Sequence, residues 1–144
     1  MENAGGARFQ ELSAALATDK NIAAAYVFGS FARGIATALS DIDIAILFRR
    51  SVDESRYFDL RLDYLTRIMV LLRAERVDLV ILNNAPLHIA YQAVSRGLLL
   101  VDGDRGYRVA FEADRIGRFL DFKPFLAVQL RAIKKHLEEG TFFD

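Results

Sequence analysis

The sequence predicts an α/β (α+β) fold, with a small mixed β-sheet of about four strands flanked by helices and a helical C-terminal extension. Short apolar runs alternate with amphipathic segments as far as residue 101, and only helix-type spacing follows them. The 144 residues, 53% of them hydrophobic, suffice for one compact core. We expect a single domain over residues 1–144, whose C-terminal helices from about residue 106 form an extension or a partner surface.

The first third of the chain predicts one helix and two strands. Three apolar residues at helical spacing indicate a short helix near the start: Phe9, Leu12 and Leu16. The continuous apolar run 22–28 predicts a strand covered on both faces, and Gly29 with Ser30 ends it. Residues 30–34 predict a helical turn or a tight loop. The isoleucine-rich segment 41–48 predicts the second strand.

The middle of the chain predicts two helices and two further strands. Five apolar residues spaced by four, three, four and three predict a helix over about 55–73 with one buried stripe: Phe58, Leu62, Leu65, Met69 and Leu72. Residues 77–82 predict the third strand, and Pro86 then starts a helix that Gly97 closes. Residues 98–101 predict a last short strand.

The C-terminal segment predicts two helices separated near Pro124, because proline removes a backbone hydrogen bond and usually ends or bends a helix. Its phenylalanines are typical of a core, although a domain of this size can leave some uncovered for a partner: Phe111, Phe119, Phe122, Phe125, Phe142 and Phe143.

Composition limits the possible functions. Lysine plus arginine and aspartate plus glutamate both number 19, so no overall field favours direct binding to nucleic acid or to an acidic membrane. The sequence has no cysteine, which fits a reducing compartment, and no apolar run approaches the roughly 20 residues of a membrane span. The acidic Glu2 argues against a secretory signal. We expect a cytoplasmic protein without a membrane segment.

The second strand begins with paired carboxylates. Its period of two places Asp41 and Asp43 on one face, where like charges so close favour a shared cation. Asp78 interrupts the third apolar strand, and a carboxylate buried there needs a partner or a metal. Carboxylate oxygens are ligands that Mg²⁺ prefers. The alternatives are a solvated strand start for the pair, and an ion pair with Arg76 or Arg73 for Asp78.

A strand that ends in glycine and serine can hold an anion. Without a side chain, Gly29 lets a phosphate approach the backbone closely, and the Ser30 hydroxyl can add a hydrogen bond. Arg33 could provide a forked charge for a phosphate oxygen, although a helix-surface charge is the equally simple interpretation. Alone, this turn is a weak signal for nucleotide binding.

The two features together are far more specific. Gly29-Ser30, ten intervening residues and then Asp41-x-Asp43 resemble the signature of the DNA polymerase β-like nucleotidyltransferases. Within that superfamily the sequence is similar to the minimal nucleotidyltransferases, and Asp78 occupies the place of their third carboxylate. The resemblance covers nearly the whole chain.

The resemblance implies a site and a mechanism. Asp41 and Asp43 would hold two magnesium ions, Gly29 and Ser30 would seat the phosphates of ATP, and Asp78 would bind metal and help to deprotonate the attacking hydroxyl. Catalysis would then require chiefly positioning and charge neutralisation, without a covalent intermediate.

The resemblance also implies a biological role. Minimal nucleotidyltransferases commonly act as antitoxins that transfer AMP from ATP to a tyrosine of a HEPN-domain ribonuclease toxin, so a hetero-oligomer with such a toxin is expected. Two alternatives stay open. One is nucleotide transfer to a small hydroxylated molecule such as an aminoglycoside, and the other is a catalytically idle antitoxin that acts by occlusive binding.

Overall fold

The computed structural model describes residues 2–37 and 39–139, and the side chains within that range from residue 6 onward. Strands and helices alternate before one long terminal helix. The elements are α1 (Glu2–Ala17), β1 (Ile22–Phe28), α2 (Gly29–Ala32), β2 (Ile42–Phe48), α3 (Tyr57–Leu72), β3 (Val77–Ile81), α4 (Leu87–Arg96), β4 (Leu98–Asp102) and α5 (Arg105–Glu139). Single 3₁₀ turns precede α3 and α4.

The four strands form one mixed sheet in the order β3-β2-β1-β4. Strand β1 pairs antiparallel with both β2 and β4, whereas β2 and β3 are parallel. Because β2 runs opposite to β1, the start of β2 lies beside the end of β1. The start of β3 lies beside the start of β2, so three chain segments meet at one end of the sheet.

Both faces of the sheet are covered. The alternation of side chains along β2 sends Ile44 and Ile46 to one face, with α1 and α3, and Ala45 and Leu47 to the other, with α4 and α5. All seven residues of β1 are buried, as the continuous apolar run predicts for a strand between two layers.

Most predicted elements are confirmed, with small shifts at their ends. The mixed four-stranded sheet, its flanking helices and the helical C-terminus are all present. Strand β2 begins at Ile42 rather than at residue 41, and β3 ends at Ile81 because Leu82 starts a 3₁₀ turn. Among the described residues, no helix combines the length and apolar content needed to cross a membrane.

The buried stripe predicted for α3 is wrong in its first half. Leu72 is buried and Leu65 packs against the core, as predicted, but Phe58 is 70% exposed and Leu62 is 45% exposed. Tyr64 and Ile68, which the stripe omitted, are buried. Two apolar stripes overlap on this helix, and periodicity alone cannot rank them. Packing against the sheet decides, since Tyr64 lies against the Phe48 ring and its hydroxyl donates a 2.8 Å hydrogen bond to Asp19.

The predicted break near Pro124 is also wrong, because α5 continues through it as one helix of 35 residues. Every residue from 121 to 139 is exposed, so water can bond the carbonyl group that the proline leaves without a donor. Of the phenylalanines, Phe111 is buried and both Phe122 and Phe125 are exposed. Phe142 and Phe143 lie outside the described residues.

A polar contact inside the core fixes the first half of α5. The Tyr26 hydroxyl on β1 donates a 2.5 Å hydrogen bond to Glu112, which also accepts from Arg108 at 3.0 Å. Arg108 reaches back to Asp102 at the end of β4 at 2.8 Å. Burial, and then the bond to Glu112, raise the pKa of Tyr26 far above its ordinary value, so the hydroxyl keeps its proton.

We expect Tyr26→Phe to lower the free energy of unfolding by about 1–2 kcal/mol, because Glu112 loses a donor inside the fold while Arg108 still neutralises it. Urea denaturation measures the change. The matched control is Tyr91→Phe, whose ring stacks on Phe119 and whose hydroxyl forms no hydrogen bond with the described residues. Equal stabilities of Tyr26→Phe and wild type would contradict this role.

Candidate active site

The turn after β1 brings glycine and a carboxylate into direct contact. Gly29 has a φ of +69°, in the left-handed region that favours glycine. A Cβ atom built on Gly29 would overlap Oδ2 of Asp43, and would lie 3.1 Å from its Cγ. Both the backbone angle and the space therefore require glycine here, and the Asp43 carboxylate lies against its Cα.

Strand pairing places the acidic residues in one neighbourhood. Asp43 is the register partner of Phe28 on β1 and of Asp78 on β3. Neighbouring strands lie about 4.8 Å apart, so Asp43 and Asp78 project side by side from the same face. Asp41 lies just before β2, two residues from Asp43.

Electrostatics shows that these three carboxylates interact. Burial is the main cause that raises the pKa of Asp43, and the negative charges of Asp78 and then Asp41 raise it further. Asp43 is partly buried, whereas Asp41 and Asp78 are exposed. The site therefore holds one shielded carboxylate between two that face solvent.

The premise that Asp78 is buried is wrong. Asp78 is exposed, and it lies near the start of β3, an edge strand of the sheet. The alternative of an ion pair is not observed either, since no salt bridge joins Asp78 to another described residue. Arg76 instead donates to the Leu39 carbonyl group at 2.8 Å, and Arg73 ends α3 in the left-handed conformation.

The oxygen donors suit a hard cation, but they are not preassembled around one. Within residues 2–37 and 39–139, no three His, Cys, Asp or Glu side chains are positioned as a metal site. The chemistry of the donors fits Mg²⁺, because the charges of Asp41 and Asp78 raise the pKa of Asp43, and a cation would relieve that repulsion. The three-carboxylate metal site stays a prediction.

The remaining predicted residues follow the end of β1, at the same end of the sheet as the carboxylates. Gly29 and Ser30 open α2, a helix of four residues, whose first N–H groups have no partner within the helix. The Ser30 hydroxyl forms no hydrogen bond with the described residues. Arg33 caps α2, its backbone N–H donates to the Gly29 carbonyl group at 3.1 Å, and its side chain is exposed.

Two polar residues of α4 were missed by the sequence analysis. Gln92 and Arg96 line a cleft of about 80 Å³ together with Gly29 and Arg33. Their spacing of four puts them on one side of α4, which the sequence shows, but nothing local indicates that this side faces Gly29. The packing of α4 on β1 and α2 brings them there.

Comparison with known families identifies the chain. A family model described as polymerase beta, nucleotidyltransferase, matches residues 10–106. The chain belongs to the polymerase β nucleotidyltransferase family. The match spans the sheet and its helices from within α1 to the start of α5, and thus includes every residue of the candidate site.

Solved structures share the fold of this nucleotidyltransferase. A toxin-antitoxin structure with AMP-PNP has a chain 23% identical, with a TM-score of 0.65, and the alignment covers 88% of this chain and 98% of that one. The toxin-antitoxin MntA-HepT has a chain that is 21% identical, with a TM-score of 0.65. The alignment covers 90% of this chain and 98% of that one.

A third complex contains tri-AMPylated Shewanella oneidensis HEPN toxin and MNT antitoxin. Its matching chain is 22% identical, with a TM-score of 0.62, and the alignment covers 88% of this nucleotidyltransferase and 96% of that chain. No curated protein is significantly similar in sequence. At these identities, the solved structures establish the shared fold.

We expect Gly29→Ala to destabilise this nucleotidyltransferase more than Gly34→Ala. Both glycines have a positive φ, of +69° and +73°, but only a Cβ at residue 29 meets another atom, since the space around Gly34 is open. The positive φ alone costs about 1–2 kcal/mol in either variant. Urea denaturation should show a further loss for Gly29→Ala.

The further loss should disappear in an Asp43→Ala background, because the overlapping carboxylate is then absent. The double-mutant cycle therefore measures the contact itself. If Gly29→Ala and Gly34→Ala were equally costly in both backgrounds, the contact between Gly29 and Asp43 would have no energetic weight.

Asp43→Asn should leave the metal-free fold as stable as wild type or slightly more stable at pH 7. A raised pKa means that the folded chain binds the Asp43 proton more readily than the unfolded chain does. The stabilisation from that proton is present at low pH, and is lost as pH rises through the folded-state pKa. An amide has no such charge to repel Asp41 and Asp78.

Thermal melting in a chelator tests this expectation. The Tm of Asp43→Asn should equal or exceed that of wild type by up to about 4 °C at pH 7. The difference should shrink as wild-type Asp43 becomes protonated in acid. Asp63→Asn, which replaces an exposed aspartate on α3, is the matched control and should show no gain. A large fall in Tm for Asp43→Asn would instead mark a structural role.

Proposed function

We propose that this nucleotidyltransferase is an antitoxin that transfers AMP from ATP to a tyrosine hydroxyl of a cognate HEPN ribonuclease toxin and thereby neutralises it. The observation that carries the proposal is the contact of Gly29 with Asp43, beside Asp78, in a chain of this family. The solved complexes support it, since one contains AMP-PNP and another contains a tri-AMPylated HEPN toxin with an MNT antitoxin.

The nucleotide is held at the turn after β1 in this proposal. The backbone of Gly29 and the hydroxyl of Ser30 seat the phosphates, and the exposed guanidinium of Arg33 neutralises part of their charge. Asp41, Asp43 and Asp78 would hold magnesium, which would supply positive charge against the negative charge of the triphosphate. The partial burial of Asp43 strengthens its attraction for a cation.

The transfer itself is a single displacement. The tyrosine oxygen forms a bond to the α-phosphorus of ATP, while the bond from that phosphorus to the pyrophosphate oxygen breaks. Asp78, exposed at the sheet edge where an acceptor can approach, takes up the hydroxyl proton. The products are O-adenylylated tyrosine, pyrophosphate and the proton, so the reaction needs no covalent enzyme intermediate.

The second half of α5 is proposed as the surface that contacts the toxin. All residues from 121 to 139 are exposed, and large apolar side chains are frequent among them. These include Phe122, Phe125, Leu126, Val128, Leu130, Ile133 and Leu137. An exposed apolar surface of this extent is typical of a protein interface. A hetero-oligomer with the toxin would cover it.

A transfer assay tests the proposed activity. The chain is incubated with ATP labelled at the α-phosphate, Mg²⁺ and the protein encoded by the adjacent gene. We expect label on that protein, and none when the label is on the γ-phosphate. Asp41→Asn and Asp43→Asn should lower transfer by at least about a hundredfold, as expected for loss of a metal ligand. Asp63→Asn is the control and should transfer normally.

Several outcomes would contradict the proposal. Label that appears on an aminoglycoside such as kanamycin but not on the protein would indicate a small-molecule acceptor. Toxin neutralisation that survives both Asp→Asn substitutions would favour occlusive binding. Transfer that persists in excess chelator would exclude the magnesium site. Replacing each tyrosine of the labelled partner by phenylalanine identifies the acceptor.

A further inference from the structure

The cleft beside Gly29 has a wall made by α4. Its lining is Gly29, Arg33, Gln92 and Arg96, so two arginines, one glutamine and no acidic residue surround a space of about 80 Å³. A single water molecule needs about 10–15 Å³ of such space, so the cleft can hold a group the size of a phosphate.

The two arginines of the cleft are not neutralised by the protein. Neither the Arg33 nor the Arg96 side chain forms a salt bridge or hydrogen bond with the part of the chain that the structure describes. Arg108, by contrast, is paired with both Asp102 and Glu112. Two uncompensated positive charges on one cleft repel each other, and an anion between them removes that repulsion.

The fold holds the α4 wall in place. Ala90 and Ala93 are fully buried against the sheet, so Gln92 is fixed on the opposite, open side of the helix. Gly97 caps the end of α4, and its N–H donates to the Ala93 carbonyl group at 3.0 Å. A Cβ atom at residue 97 would overlap the Ala93 carbonyl oxygen and lie 3.1 Å from that of Val27, so glycine allows α4 to end close to β1, with Arg96 beside it.

Gly29 links this cleft to the carboxylates. The same residue that contacts Asp43 also lines the space in front of Arg96. An anion in the cleft is therefore adjacent to the proposed site of phosphoryl transfer, with acidic side chains near one part of Gly29 and basic side chains near another. This separation of charge suits a triphosphate whose reacting end meets the carboxylates and whose far end does not.

We infer that Arg96, with Gln92, binds the pyrophosphate end of the nucleoside triphosphate and is a catalytic residue of this nucleotidyltransferase. The inference rests on the proposed function. A forked guanidinium matches phosphate oxygens, and the negative charge on them grows as the bond to the α-phosphorus breaks. Arg96 therefore favours a triphosphate over a monophosphate, and stabilises the pyrophosphate as it leaves.

Direct binding separates this role from a structural one. The affinities of wild type, Arg96→Met and Arg96→Lys for AMP-PNP and for AMP are measured by calorimetry with Mg²⁺ present. Arg96→Met should weaken AMP-PNP binding by about tenfold or more, as for other charged hydrogen bonds, and leave AMP binding within about twofold. The affinity of Arg96→Lys for AMP-PNP should lie between those of wild type and Arg96→Met, because lysine keeps the charge but not the forked geometry of the guanidinium.

Two further variants calibrate the measurement. Gln92→Leu should weaken AMP-PNP binding by a smaller factor, about threefold, because it removes a neutral hydrogen bond. Arg118→Met replaces an arginine on α5 whose side chain is 66% exposed and pairs with Asp114 four residues away, and it should leave both affinities unchanged. Thermal melts of every variant verify that it is folded. If Arg96→Met does not fold, the comparison is made with Arg96→Lys instead.

The outcomes distinguish this inference from the proposed function. The inference would be wrong if Arg96→Met bound AMP-PNP as tightly as wild type does, or if its affinities for AMP-PNP and AMP fell by the same factor. Either result would mean that Arg96 does not bind the pyrophosphate end. If wild type transferred no AMP to any protein yet lost AMP-PNP selectively on substitution of Arg96, the inference would stand and the proposed acceptor would be wrong. A wild-type chain that bound no AMP-PNP would overturn both.

Discussion

The candidate site depends on the hydrogen-bonded register of β2 with its two neighbours. That register places Asp43 opposite Phe28, the residue before Gly29, and beside Asp78 of β3. Because side chains alternate along a strand, a slip of one residue would send Asp43 to the buried face that Ile44 now occupies, and Ile44 to the other face. The buried isoleucines of β2 therefore fix the position of the carboxylate as firmly as they fix the sheet.

Charge is separated around Gly29 in a way that the overall composition conceals. The 19 basic and 19 acidic residues balance over the chain. Near Gly29, however, Asp43 interacts with two other carboxylates, while Arg33 and Arg96 share a cleft without acidic lining. A nucleotide with magnesium carries both kinds of charge and can satisfy both groups. The field that matters for this protein is local and is set by charges on or beside β2, β3, α2 and α4.

The sequence by itself determined which segments form the sheet and which residues are candidates for the site. Continuous apolar runs predicted β1 and β2 to within one residue, because strands covered on both faces have no polar side to confuse the pattern. The spacing of Gly29-Ser30 and Asp41-x-Asp43 resembles the signature of the family to which the chain belongs. The contact of Gly29 with Asp43 gives that spacing a structural reason.

Only the tertiary structure decided what depends on distant packing. Periodicity allowed two stripes on α3, and the Phe48 ring selected the one that contains Tyr64. The apolar neighbours of Asp78 predicted that it is buried, but the strand order leaves β3 at the edge of the sheet. Periodicity could not place Arg96 beside Gly29, because 66 residues separate them along the chain. Local pattern specifies an element and its apolar content, whereas exposure and neighbours follow from how the elements pack.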